Sequence, residues 1–366
     1  MPSILHVSQP TDGGVAQCVA DFARFGIELG LRVSVACPPD GPLARWVETA
    51  GGIYVPWPAT RNPGMSVGAQ IWRLRQIVQK VDPDVVHLHS SKAGLAGRLA
   101  LRGKRPTIFQ PHSWSFQALS GLPQEAAALW ERFGAHWAQV IICVSEEELR
   151  CGQARGIRAS WRVVENGVDP TGWSEASQKE ALEARLRLGL LSGPVVVSVG
   201  RLTRQKGQDI LIEAWREVRE EVPAAVLILV GDGPERLAIA QQCCPGAKLV
   251  GRREDVKDWL AAADVVVIPS RWEGLSLLML EAMARGRSVV ATDVGSAREV
   301  LSEGAGTVVA VEDRVGLAQE LVKRLRDPRL RAQEGKAGRR RVEEHYGLAR
   351  TATSLADVYK AVLGTF

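Results

Sequence analysis

The sequence predicts an α/β protein of two Rossmann-like domains, each a parallel sheet covered by helices on both faces. Three observations carry that expectation. β-Branched runs of strand length alternate with helical periodicity along nearly the whole chain, the order that yields parallel strands joined by crossover helices. The chain has 366 residues, 46% of them hydrophobic, which is more than one core usually accommodates. The alternation also loosens once, between Asp169 and Gly193, and starts afresh at Pro194.

In the first half, strands are expected at Ser3 to Ser8, Arg32 to Cys37, Asp84 to His89, Thr107 to Gln110, Val140 to Val144 and Arg162 to Glu165. Helical spacing fits Val15 to Leu29, Leu43 to Ala50 after the turn PPDGP, Val67 to Val81, Lys92 to Leu101, Gln124 to Trp137 and Glu146 to Arg155. The polar stretch holds one helix, Lys179 to Leu188. Beyond it, strands are expected at Val195 to Val199, Val226 to Val230, Lys248 to Val250, Val265 to Ile268, Ser288 to Thr292 and Thr307 to Val311. Leu277 to Arg285 reads as a helix stopped by Gly286, and Leu348, Ala352, Leu355, Tyr359 and Val362 recur at helical spacing near the end. These divisions give a first domain over residues 1–170, a linker over 171–193, a second domain over 194–345 and a last helix over 346–366.

The segment ADVVVIPSRWEGLSLLMLE is the most informative. It places Glu273 in the loop after a strand and Glu281, with seven residues between, on the helix that follows. Ligands of open α/β sheets bind at the carboxyl ends of strands, so both carboxylates can serve one crevice. Carboxylates accept paired hydrogen bonds from vicinal hydroxyls, which suits a sugar ring and a ribose. The plainer reading makes Glu273 a helix cap and Glu281 a surface ion-pair partner.

Upstream, Arg201 and Lys206 emerge in the strand-to-helix loop that contains Gly200 and Gly207. A guanidinium grips phosphate oxygens in pairs, an ammonium adds a point charge, and helix amides beginning near Gly207 add partial positive charge. A diphosphate is the natural guest of such a loop. In the third loop, Gly231 and Gly233 of GDGPE allow close backbone approach to a ligand, although turn glycines would look the same.

With Val199-Gly200-Arg201-Leu202 before Lys206-Gly207, then Gly231-Asp232-Gly233-Pro234, then Glu273-Gly274 before Leu280-Glu281-Ala282-Met283-Ala284, the chain resembles the retaining glycosyltransferases of family 4. The likeness extends to Gly13-Gly14-Val15, His87-Leu88-His89, His112, Val144-Ser145-Glu146 and Glu165-Asn166-Gly167-Val168-Asp169. It departs at Glu165, where a proline is common, and at Arg287-Ser288, which interrupts the usual G-x-P-V. The resemblance implies the GT-B fold, two domains facing across a cleft with the last helix crossing back onto the first. The first domain would then bind the acceptor and the second the nucleotide sugar. It further implies that Arg201 and Lys206 stabilise the leaving diphosphate, that Glu281 binds ribose, and that Glu273 binds the sugar and faces its developing charge. Gly14, Gly200, Gly231, Gly274, Leu275, Ser276 and Leu277 complete the implied donor site. Transfer would proceed with retention, the departing phosphate oxygen taking the acceptor's proton.

Other residues carry two readings. His112 opens the loop HSWSFQ, and its place in the family pattern implies a hydrogen bond to donor sugar or acceptor. Trp114 either stacks on an acceptor ring or packs in the core. Gly13 and Gly14 open a helix whose amides can approach phosphate and acceptor, but they lack a full G-x-G-x-x-G, so no nicotinamide site is expected. His87 and His89 alternate on a strand and share a face; packing is favoured over a metal pair for want of further ligands. No D-x-D offers a metal site for the diphosphate, so no metal and no obligatory cofactor is expected beyond a UDP- or GDP-sugar donor. The cluster Arg98, Arg102, Lys104 and Arg105 reads either as a solvated face or as a contact with anionic membrane.

Net charge is +5, with 17 Lys and Arg against 14 Asp and Glu over residues 1–170, so the excess is spread along the chain. That balance favours anionic small molecules or an acidic membrane surface over nucleic acid. Six cysteines lack metal spacing, as reduced cytoplasmic thiols would. The start, MPSILHVSQP, has no basic leader or long apolar run, so a cytoplasmic enzyme, peripheral at the inner membrane face, is expected. Three functions are compared: a glycosyltransferase acting on a hydroxyl acceptor (a lipid-linked glycan, polysaccharide precursor or small natural product), a nucleotide-sugar epimerase or hydrolase, and a non-catalytic sugar-nucleotide binder. The quartet Arg201, Lys206, Glu273 and Glu281 favours the first.

Overall fold

A computed structural model describes residues 1–60, 66–190 and 193–364. Two compact units divide the chain, one of residues 1–166 with 350–366 and one of residues 167–349. The first unit runs β1 (Ser3–Ser8), α1 (Gly13–Glu28), β2 (Arg32–Cys37), α2 (Leu43–Thr49), β3 (Ile53–Pro56), α3 (Val67–Val81), β4 (Val85–His89) and α4 (Ser90–Leu101). It continues with β5 (Thr107–Gln110), α5 (Leu122–Gly134), β6 (Val140–Cys143), α6 (Glu146–Ala154) and β7 (Trp161–Val163). Its seven strands lie in the order β3-β2-β1-β4-β5-β6-β7, all parallel. Strands β1, β4, β5 and β6 are buried throughout, and except in β6 their apolar runs are interrupted by buried polar side chains, among them His6, His87, His89 and Gln110. Strand β3, absent from the sequence expectations, is a partly exposed edge whose four residues, Ile53–Pro56, lack a buried run.

The second unit runs α7 (Gln178–Leu188), β8 (Val195–Val199), α8 (Gln208–Glu221), β9 (Val226–Val230), α9 (Arg236–Gln242), β10 (Ala247–Gly251), α10 (Val256–Ala262), β11 (Val265–Ile268) and α11 (Leu277–Ala284). There follow β12 (Ser288–Thr292), α12 (Ala297–Val300), β13 (Thr307–Val309), α13 (Arg314–Arg326) and α14 (Pro328–His345). Its six parallel strands lie in the order β10-β9-β8-β11-β12-β13. The expected pair of parallel α/β sheets is therefore present.

The last helix, α15 (Leu348–Leu363), takes the chain back to the first unit, where Tyr359 is 2% exposed and its hydroxyl lies 3.0 Å from His87 Nδ1. Leu355, Tyr359 and Val362, picked out by spacing alone, are all buried.

In both sheets the order reverses direction once, between β1 and β4 and between β8 and β11. Loops leaving such neighbouring strands in opposite directions open a crevice at the strands' carboxyl ends. Gly13 and Gly14 follow β1, Arg201 and Lys206 follow β8, and Glu273 follows β11. The topology thus delivers these sequence-predicted residues to the two switch points.

Candidate active site

In the second unit, the loop from β8 to α8 and the loop from β11 to α11 are bound together. Lys206 and Glu273 form an ion pair with little exposed surface, and the same Glu273 oxygen accepts from Ser270 Oγ at 2.9 Å. Gln205 Nε2 donates to the Trp272 carbonyl at 3.0 Å, and the Arg271 amide donates to the Gln205 carbonyl at 2.7 Å. Beneath them the Arg271 guanidinium holds Asp209 of α8 with two bonds, 2.9 and 2.7 Å, and Glu312 with a third at 2.6 Å. Burial opposes ionisation of Asp209, but the bonds from Arg271 outweigh it and keep the carboxyl below its usual range. Thr292 of β12 donates to the Ser270 carbonyl at 2.5 Å, fixing the same loop from its other side.

Two glycines make this approach sterically feasible. Gly207 sits at φ 64, and a Cβ there would run into the Pro269 carbonyl oxygen. Gly231 sits at φ 145 against the Gly200 carbonyl, drawing the GDGP loop onto the first loop. Its amide donates to Gly251 and that of Leu202 to Asp232, so three loops form one backbone-linked rim.

Arg201 is exposed, and its guanidinium has no protein ion-pair partner among the described residues. Gly274, Leu275 and Ser276 are buried ahead of α11, Leu277 begins it, and Glu281 lies one turn further along. Ser276 is the N-cap of α11 and makes no side-chain cap bond, while the Glu273 carboxylate is bonded to Lys206 and Ser270 Oγ, so the cap reading gives way to the ion pair. Open first-turn amides and the helix dipole favour an anion there.

In the first unit, Gly13 and Gly14 are exposed at the uncapped start of the 16-residue α1, with Gly13 at φ 69. His112, half-buried, stands at φ 56 and Ser113 at φ 136, a left-handed pair that a histidine and a serine rarely adopt. Such strain persists only where surroundings dictate it. Here Gln117 accepts from the Trp114 amide at 3.0 Å, and His89 Nδ1 lies 3.1 Å from His112 Nε2. Burial pushes His112 down to about 3, so the ring is neutral at physiological pH.

Trp114 is corrected. It is 1% exposed, stacked on Phe116 at 5.6 Å, with Nε1 donating to the Glu148 carbonyl at 2.7 Å. Its faces are spent in the core and no acceptor ring can stack on it.

The basic cluster is corrected too. Arg98 is fully buried, paired with Glu131 at 2.7 Å and stacked 3.9 Å over Phe109, so it ties α4 to α5 and offers no surface charge. Arg102 and Lys104 remain exposed, while Arg105 pairs with Asp82 at 2.5 Å. Nothing in the sequence around Arg98 announced a partner 33 positions on.

His87 and His89 share a face as expected, their rings 4.0 Å apart, and His6 of β1 joins them. One ligand atom from each of the three lies within 4.8 Å of the others. His6 escaped the sequence reading because only the strand order brings β1 beside β4. Among the described residues, no helix is long and apolar enough to cross a membrane.

Two parallel sheets with a cationic, carboxylate-bearing loop set at one switch point define a nucleotide-sugar-dependent glycosyltransferase of hexosyltransferase type. The chain belongs to glycosyltransferase family 4: residues 12–171 match the model "Glycosyltransferase Family 4" and residues 193–327 match "Glycosyl transferases group 1". It is 34% identical over 357 residues, 92% of this chain and 91% of the relative, to the GDP-mannose-dependent monoacylated alpha-(1-6)-phosphatidylinositol monomannoside mannosyltransferase of Corynebacterium glutamicum. To the UDP-Gal:alpha-D-GlcNAc-diphosphoundecaprenol alpha-1,3-galactosyltransferase of Escherichia coli it is 27% identical, covering 89% of this chain and 88% of that one. Among solved structures, Anabaena HepE in complex with UDP-glucose superposes with a TM-score of 0.86 at 23% identity, covering 98% of this chain and 99% of that one.

Proposed function

We propose that the second unit binds a UDP- or GDP-hexose and that the first supplies the residues that hold a hydroxyl acceptor, the sugar being transferred with retention of configuration. The convergence of Arg201, Lys206 and Glu273 at the carboxyl ends of β8 and β11 carries this reading. In it, Arg201 and Lys206 take the diphosphate, and their charge offsets the negative charge that grows as the glycosidic bond breaks. Gly200, Gly231, Gly274, Leu275, Ser276 and Leu277 bring backbone close to the nucleotide, and Glu281 accepts from the ribose hydroxyls. Glu273, released from Lys206 when phosphate takes its place, accepts from the sugar hydroxyls and faces the ring's developing positive charge. His112 meets a sugar or acceptor hydroxyl as a neutral imidazole. Gly13 and Gly14 offer amides to acceptor or phosphate. The leaving phosphate oxygen accepts the acceptor's proton, so no side-chain base is needed.

A lipid-linked acceptor is favoured by the first unit's surface. On α5, Leu122, Leu129 and Phe133 are 86, 62 and 57% exposed at positions that share one helical face. Phe133 packs against Trp137 at 4.8 Å, beside which Gly103 turns between exposed Arg102 and Lys104. An apolar stripe flanked by cations suits an anionic membrane surface, on the cytoplasmic side. The named acceptors of the two relatives above, a phosphatidylinositol mannoside and a diphosphoundecaprenol glycan, agree with it.

The test is incubation with radiolabelled UDP- and GDP-hexoses and a lipid extract, followed by proton NMR of the product's anomeric centre. Label transferred to acceptor with the donor's configuration is expected. Inversion, or release of free or isomerised sugar alone, would overturn the reading.

A further inference from the structure

The first unit contains a continuous chain of imidazoles that ends at His112 and whose inner members, His6 and His89, have no part in the proposed transfer chemistry. His6 Nδ1 lies 2.9 Å from His89 Nε2, and His89 Nδ1 lies 3.1 Å from His112 Nε2. His6 and His89 are fully buried. Their surroundings supply no charge: the groups facing them are His87, whose ring is tilted by 32° against that of His89 at 4.0 Å, Gln110 of β5 beside His87, Phe22 of α1, and Tyr359 of α15, whose hydroxyl holds His87 Nδ1. Burial lowers every one of these imidazoles well below its ordinary range, with His6 down to about 3, so each ring carries a single N–H.

A chain of neutral rings has only two proton arrangements. If His89 donates inward to His6, then His6 carries its proton on Nε2 and His112 on Nε2. If His6 donates outward, then His89 donates from Nδ1 to His112 Nε2, and His112 carries its proton on Nδ1. The two differ at the closed end. His6 Nε2 is buried with no hydrogen-bond partner among the described residues. The first arrangement strands an N–H there and the second only a lone pair, and stranded buried N–H groups are the rarer of the two. At the open end, Nδ1 of His112 has no protein partner among the described residues.

From this we infer that His6 and His89 are positioning residues that lock His112 as a neutral Nδ1–H donor, so that it gives a hydrogen bond to a hydroxyl oxygen of the sugar or acceptor. The chain acts as a directional lock: with no outlet at His6 Nε2, the protons cannot shift in concert, and His112 cannot reverse its role. Specificity follows, because a fixed donor rewards an oxygen acceptor and penalises a ligand that offers only N–H or O–H to it. The role given to His112 rests on the function proposed above; the tautomer does not.

Long-range nitrogen–proton correlation of the histidine rings in the full chain, labelled with 15N-histidine, tests it. The six histidines keep the spectrum assignable. The expected result is a protonated Nδ1 and an unprotonated Nε2 for His6, His89 and His112 across neutral pH. His89→Asn, whose amide keeps a donor near the Nδ1 position, should preserve the His112 tautomer, whereas His89→Gln should release it into a mixture. Turnover should then fall roughly ten- to a hundredfold in His89→Gln and recover in His89→Asn, with the affinity for bare nucleoside diphosphate, which His112 is not proposed to touch, unchanged in both. An Nε2-protonated His112 in the unmodified protein would overturn the proposal without any variant, as would ring signals of His6, His87 and His89 shifting together on addition of zinc. Correct tautomers with no loss of turnover in His112→Ala would instead remove His112 from the site and leave the lock standing.

Discussion

Lys206 and Glu273, 67 positions apart, are ion-pair partners across the switch point of the second sheet. In the proposed reading, each neutralises the other until a donor arrives with a diphosphate for the cation and hydroxyls for the carboxylate. Glu281, on the helix α11 that directly follows Glu273, is not a member of this pair.

Different partners imply different phenotypes. Glu281→Ala should weaken binding of bare UDP or GDP, while Glu273→Ala should leave it unchanged or tighter, since Lys206 is freed for phosphate, and should impair transfer. Calorimetry with nucleoside diphosphate separates them; equal losses of affinity would show that the division of roles is wrong.

Glu148 supports the His112 loop from below, its carboxylate accepting from the Val144 amide at 2.7 Å and its carbonyl from Trp114. Burial raises its carboxyl to about 7. The folded protein thus holds this proton more tightly than the unfolded chain, and its contribution to stability falls as pH rises from about 4.5 to about 7. The full loss above that window is about 3 kcal/mol. Denaturant unfolding at pH 5 and 7.5 should show Glu148→Gln gaining on the unmodified protein at the higher pH by up to that amount. A difference independent of pH would contradict the assignment.

The proposed membrane contact rests on α5 and not on the buried Arg98. Phe133→Glu and Leu129→Glu should lower sedimentation with anionic liposomes at low salt, and high salt should lower it for the unmodified protein. Arg98→Ala should instead destabilise the fold by about 3 to 5 kcal/mol, because it strands Glu131. A protein that ignores anionic liposomes at low salt would point to a soluble acceptor.

The sequence was most informative where local pattern and structure coincide. Buried runs such as Val195–Val199 and Val265–Ile268 mark strands because both their faces are covered, and Gly207 marks a crowded backbone position. It was silent where meaning depends on a distant partner. Arg98 looked like a surface cation, Trp114 stayed open between ligand platform and core, and His6 looked like nothing at all, because Glu131, the Glu148 carbonyl and His89 respectively are supplied by the fold. The Arg271 clamp on Asp209 and Glu312 was missed for the same reason.

Turnover of Lys206→Ala tests the diphosphate site most directly. If this ammonium stabilises the leaving group, the folded variant should lose roughly 10²-fold or more in kcat, as loss of one preorganised charge donor does elsewhere. Near-normal turnover in a variant whose unfolding transition matches the unmodified protein would contradict the assignment of Lys206 to the diphosphate.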